Sequence, residues 1–400
     1  MTKKSCMDEA QKNKTLTQPV LEQKIEIEKL TGGSGHYFFG YYDVAAFDAG
    51  GKRHLYHKVD FMDRLPAKDD VAALGLIDIA TGKTTKIAET TAWNFQQGAM
   101  FQWNPAAPDQ EVIYNVRVGN SYQAVIKDVN TGKERMMEMP VAAIDPKGKY
   151  ALSINFARIF DYRPGYGYAG IPDVYKNILA PVDDGIFLVD MATGNGRLIM
   201  SLRQINGMLD NTRSAVKNTK LVINHISFNT DGTRFVAFVR NMPAPGERRY
   251  TALITADADG GNAYVLSDYG MSSHYHWRDE AHLLVYAEHE EGSQLYLLRD
   301  KSQDYEVIDR DFFRADGHCS FSPDRKRILY DSYPQNNYRH LYVYDLPGHQ
   351  GADLAALYSH PAATGDIRCD LHPRWRPDGK MISFDSTHEN QRHIYLARVA

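Results

Sequence analysis

A short motif that recurs through the second half of the chain constrains the fold more than any other feature. Each copy has a histidine, an aromatic residue three positions later, a turn containing aspartate and then a β-rich run, and the copies begin at His225, His274, His318 and His372. The steps between these histidines are 49, 44 and 54 residues, whereas one propeller blade takes about 40–45 residues. This spacing predicts one four-stranded blade for each copy.

The first half of the chain contains three units with the same order of elements. Their β-rich runs end in Asp-x-x-Thr-Gly at residues 78–82, 128–132 and 190–194, a pattern that suits tight loops between outer strands. The alternating segment 25–28 is a candidate outer strand that closes the ring. We therefore predict an all-β fold, a seven-bladed β-propeller with four-stranded blades that forms a single domain over residues 23–400. A sandwich of unrelated hairpins would not repeat seven times.

Two insertions interrupt the repeat, at about residues 156–186 and 199–220. Long insertions in a compact repeat usually form functional loops, so we predict an inserted loop over one face of the propeller. A flap that only caps the ring is the alternative. Residues 1–22 are predicted to form a flexible N-terminal segment.

Charge and hydropathy exclude several classes of partner. The chain has 46 basic and 50 acidic residues and a net charge of −4, without a basic cluster, so no nucleic-acid partner is predicted. No stretch approaches the roughly 18 apolar residues that a membrane helix needs, so no transmembrane segment is predicted. The compartment stays open: cytoplasmic for the sequence as written, periplasmic or lipid-anchored if a signal was removed before Cys6.

The repeated histidines are the strongest candidates for a functional site. In a propeller the first strand of each blade begins at one mouth of the central channel, so four imidazoles in one register should gather there. Asp370 lies two residues before His372 and Asp316 two before His318, which places each aspartate on the same strand face as its histidine. Two imidazoles and a carboxylate suit a divalent metal. We predict His318, His372 and Asp370 as metal ligands.

The last three blades carry a resemblance to a known family. Residues 316–324 (DGHCSFSPD), 368–379 (RCDLHPRWRPDG) and 384–389 (FDSTHE) resemble the oligogalacturonate lyase family. The resemblance covers most of the chain at the level of the repeat. It implies a seven-bladed propeller, a divalent metal held by histidines at the channel mouth (typically Mn²⁺, with Ca²⁺ as the alternative) and β-elimination of a uronate. The implied partner is an acidic oligosaccharide.

The resemblance also implies roles for individual residues. The family's metal histidine of the sixth blade matches His318, and the last histidine of its seventh-blade cluster matches His372. The other histidine of that cluster falls on Asp370 and its glutamine on Ile367. The family's catalytic-base histidine matches His274.

Removal of the C5 proton of a uronate needs a base, and an imidazole is suited to this near neutral pH. We predict His274 as the base, with His225 as its partner or substitute. A guanidinium can bind a carboxylate through two hydrogen bonds, and a tyrosine can stack on a sugar ring. The predicted substrate-binding residues are Arg158, Arg163, Arg240, Arg368, Tyr168, Gln97 and Tyr41.

One departure from the family keeps other functions open. The family's catalytic arginine falls near Ala252, and Arg248 and Arg249 are close to that position without occupying it. A catalytically inactive propeller that binds glycans or proteins is therefore one alternative. A glycoside hydrolase is another, and would need two carboxylates about 5–10 Å apart, for which Asp43, Asp316 and Asp370 are candidates.

Overall fold

The computed structural model describes residues 21–22, 25–210, 212, 219–243 and 248–399. Most of the N-terminal segment predicted to be flexible, residues 1–20, lies outside these residues, as does part of the second insertion. Within them, seven antiparallel sheets of consecutive strands form a seven-bladed β-propeller, which confirms the predicted fold.

Two short strands, β1 (Leu21–Glu22) and β2 (Ile27–Lys29), precede the blades. Blade 1 contains β3 (His36–Phe38), β4 (Arg53–Val59), β5 (Ala72–Asp78) and β6 (Thr84–Thr90). Blade 2 contains β7 (Gln102–Trp103), β8 (Glu111–Val118), β9 (Ser121–Asp128) and β10 (Glu134–Met137). Blade 3 contains β11 (Ala143–Ile144), β12 (Tyr150–Ser153), β13 (Gly185–Asp190) and β14 (Gly196–Ser201).

The second half of the chain supplies four further blades. Blade 4 contains β15 (Lys220–Phe228), β16 (Arg234–Met242), β17 (Thr251–Asp257) and β18 (Tyr264–Gly270). Blade 5 contains β19 (Ser272–Trp277), β20 (His282–His289), β21 (Gly292–Arg299) and β22 (Tyr305–Val307). Blade 6 contains β23 (Cys319–Phe321), β24 (Arg327–Asp331), β25 (Tyr338–Asp345) and β26 (Gln350–Tyr358). Blade 7 contains β27 (Arg374–Trp375), β28 (Met381–Ser386) and β29 (His393–Arg398).

The N-terminal strands complete the last two blades. Strand β2 pairs antiparallel with β29, with Glu28 opposite Leu396, and is the fourth strand of blade 7. This is the ring closure predicted from the alternation of residues 25–28. Strand β1 pairs in parallel with β26, so Leu21 and Glu22 extend blade 6.

The two insertions lie next to blades 3 and 4. Helix α1 (Phe156–Tyr162) follows β12 and is capped by the side chain of Asn155, which accepts a hydrogen bond from the Arg158 amide. Helix α2 (Leu202–Leu209) follows β14 and begins with a capping box between Ser201 and Gln204. Neither they nor any other helix in the described ranges has the length and hydropathy of a membrane span.

Apolar residues of neighbouring blades pack against each other to form the core. One cluster joins Val236 and Leu253 of blade 4 to Tyr275 and Leu283 of blade 5. The motif aromatics Phe228, Trp277 and Phe321 are buried at 5–7% exposure, and this burial explains why an aromatic recurs there. Strand β19 contacts β23, and β11 contacts β15. The first strands of these neighbouring blades therefore adjoin each other.

Candidate active site and metal centre

The structure brings the four repeated histidines together. The ring centroids of His274 and His318 are 3.8 Å apart, and those of His318 and His372 are 4.2 Å apart. Tyr41 links the fourth imidazole to this group, since its ring centroid lies 4.8 Å from that of His225 and 4.8 Å from that of His372. Imidazoles that are up to 147 positions apart in the sequence, His225 to His372, thus line one site.

β-Bulges and unusual backbone angles position these side chains. The pairing of β15 with β16 shifts between Ile223 and Ile226, and that of β19 with β20 shifts between Ser272 and Tyr275. The backbone φ angle of His225 is 68° and that of His372 is 43°, which is rare for a residue other than glycine. Bulges redirect side chains and are common beside active sites. The regular alternation used for the prediction is therefore interrupted at His225 and His274.

The three predicted metal ligands form one compact group. The ligand atoms of His318, Asp370 and His372 all lie within 4.8 Å of one another. The two Nε2 atoms of His318 and His372 are 3.1 Å apart. Consider two nitrogens that each lie about 2.1 Å from one ion, with an angle at the ion that is a right angle or slightly wider. Such nitrogens are roughly 3.0–3.4 Å apart. The observed spacing fits a shared cation.

Asp331 orients both histidines and was not predicted from the sequence. Its carboxylate accepts hydrogen bonds from Nδ1 and the backbone amide of His318, both at 2.8 Å, and from the amide of His372 at 3.1 Å. With its proton on Nδ1, His318 keeps a lone pair on Nε2, as metal-binding histidines do. Burial and the charge of neighbouring imidazoles hold the pKa of His318 and His372 well below its ordinary value. Both rings are therefore neutral, and each can donate a lone pair to a metal ion.

Asp370 supplies the anionic member of the group. Its carboxylate oxygens lie 2.7 Å from Nη1 of Arg339 and 2.6 Å from Nε of Arg368. Burial alone would raise the pKa of Asp370, but the charges of these arginines hold it well below its ordinary value. An ionised carboxylate and two neutral imidazoles are a donor set that suits a divalent cation. Ile367, where the family has a glutamine, offers no side-chain donor.

His274 has one ring nitrogen anchored and one available. Its Nδ1 donates to Asp316 at 3.0 Å, and Ser273 donates its hydroxyl to the same carboxylate at 2.6 Å. Asp316 lies just before blade 6 and thus supports the histidine of blade 5. This arrangement places the proton of the neutral ring on Nδ1 and leaves a lone pair on Nε2.

His225 forms a second histidine–aspartate pair. Its Nε2 lies 2.7 Å from Oδ2 of Asp43, and its ring stacks on Tyr275 at 4.2 Å between centroids. Its Nδ1 has no hydrogen-bond partner within the described part of the chain. His225 and His274 are therefore each held by a carboxylate through one nitrogen.

A pocket of about 140 Å³ opens beside these two histidines. The insertion contributes Arg163 and Tyr166 to its wall, and the loop before β17 contributes Arg249. Three arginines and two histidines make the wall strongly basic. The lining residues are Tyr41, Arg163, Tyr166, Asn224, His225, Phe238, Arg240, Arg249, Ser273, His274 and Tyr333.

Two residues that line the pocket carry buried hydrogen-bond donors without a partner in the described part of the chain. Nε of Arg240 and Nδ2 of Asn224 are buried and have no partner among the described residues. Burial and the charge of Arg163 lower the pKa of Arg240 to about 10, so its guanidinium remains charged near neutral pH. Unpaired buried donors are costly without a partner, and an anion in the pocket would supply one.

Blade 4 contributes two arginines to the pocket, although Ala252 itself does not reach it. Ala252 is 2% exposed and packs in the hydrophobic core. Arg240 lies on the neighbouring strand opposite Thr251. The blade therefore still presents guanidinium groups to the pocket, from Arg240 on β16 and from Arg249 before β17.

Of the predicted substrate-binding residues, Tyr41, Arg163 and Arg240 line the pocket. Arg368 lies at its edge, where its Nη2 donates to the hydroxyl of the pocket residue Tyr166 at 2.7 Å.

Three other predicted substrate-binding residues, Arg158, Tyr168 and Gln97, are buried and do not line the pocket. Arg158 is 2% exposed and donates to Asp173 and to the carbonyls of Leu221, Tyr175, Ile178 and Leu179. All five of its N–H groups are thus used, so Arg158 holds the insertion together and does not bind a ligand. Tyr168 is fully buried, stacks on Phe156 and accepts a hydrogen bond from Asn115. Gln97 is 7% exposed, and its backbone N–H donates to the side-chain oxygen of Asn94.

The pairing of the first two strands of blade 6 places Asp331 next to His318 and would have identified it. Cys319 pairs with Tyr330, so the next position places Asp331 beside His318. Asn224 and Ser273 directly precede repeated histidines, and their places in the bulges account for their positions in the pocket. No comparable local signal marks Tyr333.

Fold and site together define a seven-bladed propeller with a basic, histidine-lined pocket. No protein-family model matches the sequence, and no curated protein matches it. Among solved structures, the chain is similar to an oligogalacturonate lyase in complex with manganese, at 15% identity and a TM-score of 0.67 over 96% of this chain and 95% of that one. It is also similar to oligogalacturonate lyase from Vibrio parahaemolyticus, at 14% identity and a TM-score of 0.65 over 95% of each chain.

The fold is shared with proteins of other activities. A prolyl endopeptidase structure matches at 11% identity and a TM-score of 0.54, over 91% of this chain and 47% of that one. At identities this low, the similarity shows a common fold. Function depends on the residues of the site, because one fold can carry many activities.

Proposed function

We propose that this protein is a lyase that cleaves a uronate-containing oligosaccharide by metal-assisted β-elimination. The observation that carries the proposal is the position of His274. Its Nδ1 is held by Asp316 at 3.0 Å, its ring lies 3.8 Å from the candidate metal ligand His318, and it lines a basic pocket. A base, a cation site and an anion-binding wall are the parts that this reaction requires.

His318, His372 and Asp370 would hold the cation. When bound, a divalent ion would supply electrostatic stabilisation of the negative charge that develops on the uronate carboxylate. Mn²⁺ suits this donor set better than Ca²⁺, because Ca²⁺ takes oxygen ligands and two of these three ligands are imidazoles. The manganese in one structural neighbour supports the same choice.

The residues of the chain itself perform the remaining tasks. His274 accepts the C5 proton on Nε2, and Asp316 keeps its ring in the required tautomer. Arg163, Arg240 and Arg249 bind and orient the anionic substrate through charge-assisted hydrogen bonds.

The pocket gives less support to glycoside hydrolysis. That reaction needs two carboxyl groups at the scissile bond, and no aspartate or glutamate is among the described residues that line the pocket. Asp43, Asp316 and Asp370 each contact a histidine or an arginine instead. If no product forms, a propeller that binds glycans without cleaving them is the remaining candidate.

Incubation with a panel of uronate oligosaccharides, with and without Mn²⁺ or Ca²⁺, tests the proposal. We expect an unsaturated product, detected by the ultraviolet absorbance of the conjugated C4–C5 double bond, and loss of that product with His274→Gln. His282→Gln is the matched control, because His282 also pairs with an aspartate, Asp279 at 2.8 Å, outside the pocket. Hydrated reducing ends, or no product from any substrate, would overturn the proposed reaction.

A further inference from the structure

β-Elimination involves a second proton transfer, from the protein to the leaving group. As the C4–O4 bond breaks, the leaving sugar departs as an alkoxide unless a general acid protonates it. We propose that His225 is this general acid and that Asp43 is its positioning residue. The assignment rests on the proposed function, since it concerns the same pocket and the same reaction.

The contacts of His225 suit a proton donor. Its Nε2 is held by the Asp43 carboxylate at 2.7 Å, and Nδ1 has no protein partner in the described ranges. In the imidazolium form both nitrogens carry protons. Asp43 would accept one of them, and the Nδ1 proton, buried at the pocket wall, would have no acceptor within the described part of the protein.

The backbone holds His225 in an unusual conformation at the pocket wall. It lies in the bulge of β15 at a φ angle of 68°, and His274 lies in the corresponding bulge of β19. Its ring stacks on Tyr275 with an angle of 12° between the planes. Backbone strain of this kind is found at functional sites, where the surrounding structure holds a side chain in place. The bulge and the stacking on Tyr275 together hold the ring of His225 in one orientation.

His225 and His274 share one small pocket but have different neighbours. The His274 ring is in contact with the candidate metal ligand His318, whereas Tyr41 lies against both His225 and His372. Both histidines line the pocket, so a sugar ring bound there can contact both of them. This matches the needs of an elimination, in which one group removes a proton and another delivers one.

The elimination moves two protons and one electron pair. The C5–H bond breaks and its proton goes to Nε2 of His274, while the electron pair forms the C4–C5 double bond. The C4–O4 bond breaks, and O4 takes the proton from Nδ1 of His225. His225 leaves the step neutral and His274 leaves it protonated, and exchange with water restores both.

Tyr41 lies against the ring of His225 and is a competing proton donor in the pocket. Burial raises the pKa of Tyr41 well above its ordinary value, so its hydroxyl keeps its proton near neutral pH. Tyr41→Phe removes that proton and leaves the ring. A test of His225 must therefore include this variant.

Two substrates that differ only in the leaving group distinguish the roles. One carries a sugar at C4 of the uronate, and the other carries 4-nitrophenol there, which leaves as a stable anion and needs no proton. We expect His225→Gln to slow elimination of the sugar by about 100-fold or more while the nitrophenol substrate reacts at close to the wild-type rate. That retained activity also shows that the variant is folded. Asp43→Asn should show the same pattern with a smaller loss.

Two control variants separate the role of His225 from a general loss of activity. His274→Gln should lose both reactions, and His340→Gln should lose neither, because His340 pairs with Asp353 at 2.6 Å away from the pocket. Equal losses of both substrates in His225→Gln would overturn the assignment, as would the leaving-group pattern appearing in Tyr41→Phe instead. If the wild-type protein eliminates neither substrate, the proposed function fails and the assignment fails with it.

Discussion

Replacing Asp331 with asparagine tests how the candidate metal site is built. Asp331 is fully buried and bonds Nδ1 of His318 at 2.8 Å and the backbone amide of His372 at 3.1 Å. One carboxylate thus fixes the tautomer of one candidate ligand and the backbone of the other. The asparagine keeps the shape but removes the negative charge that favours a proton on Nδ1 of His318.

The expected loss is in metal affinity. Removal of such an outer-shell carboxylate typically costs about 10–100-fold in affinity, or about 1.4–2.8 kcal/mol. The stability of the metal-free protein should change less. Burial and the charge of Asp370 raise the pKa of Asp331 to about 6, so its charged form is itself disfavoured in the folded protein.

Titration calorimetry with MnCl₂ measures the effect, and thermal unfolding in chelator measures the stability of the metal-free form. Asp353→Asn is the matched control, because Asp353 supports His340 in the same blade at 2.6 Å and is partly exposed. Wild-type affinity in Asp331→Asn, or an equal loss in the control, would refute the role assigned to Asp331.

Three further predictions concern Asp331, Arg158 and Arg240. Metal affinity should fall as the pH drops below about 6, because a proton on Asp331 removes the charge that supports His318, and calorimetry on Asp331→Asn should show a weaker dependence. Arg158→Met should lower the free energy of unfolding by about 3–5 kcal/mol, since it leaves Asp173 buried without its 3.0 Å ion pair; an unchanged melting temperature with a raised KM would contradict this. Arg240→Gln should raise KM by about 10-fold or more through the loss of a charge-assisted hydrogen bond, and a wild-type KM in initial-rate assays would remove Arg240 from substrate binding.

Local sequence was sufficient for the fold and for the approximate place of the site. The repeated motif predicts the blades because each blade is one unit whose apolar faces must pack against its neighbours. The shared register of the histidines predicts their meeting, because every blade contributes its first strand at the same radius. The alternation of residues 25–28 predicts the closing strand, although it forms a little later, at Ile27–Lys29.

The partners of those histidines were decided only in the tertiary structure. His225 meets Asp43 across 182 positions, and His274 meets Asp316 across 42. Arg158 looks like a candidate clamp in the sequence, yet folding of the insertion uses all its donors. The alternation of residues along a strand predicts which face of its own blade a residue occupies. Contacts between blades also depend on bulges at single positions, such as those at His225 and His274, and no local pattern encodes these.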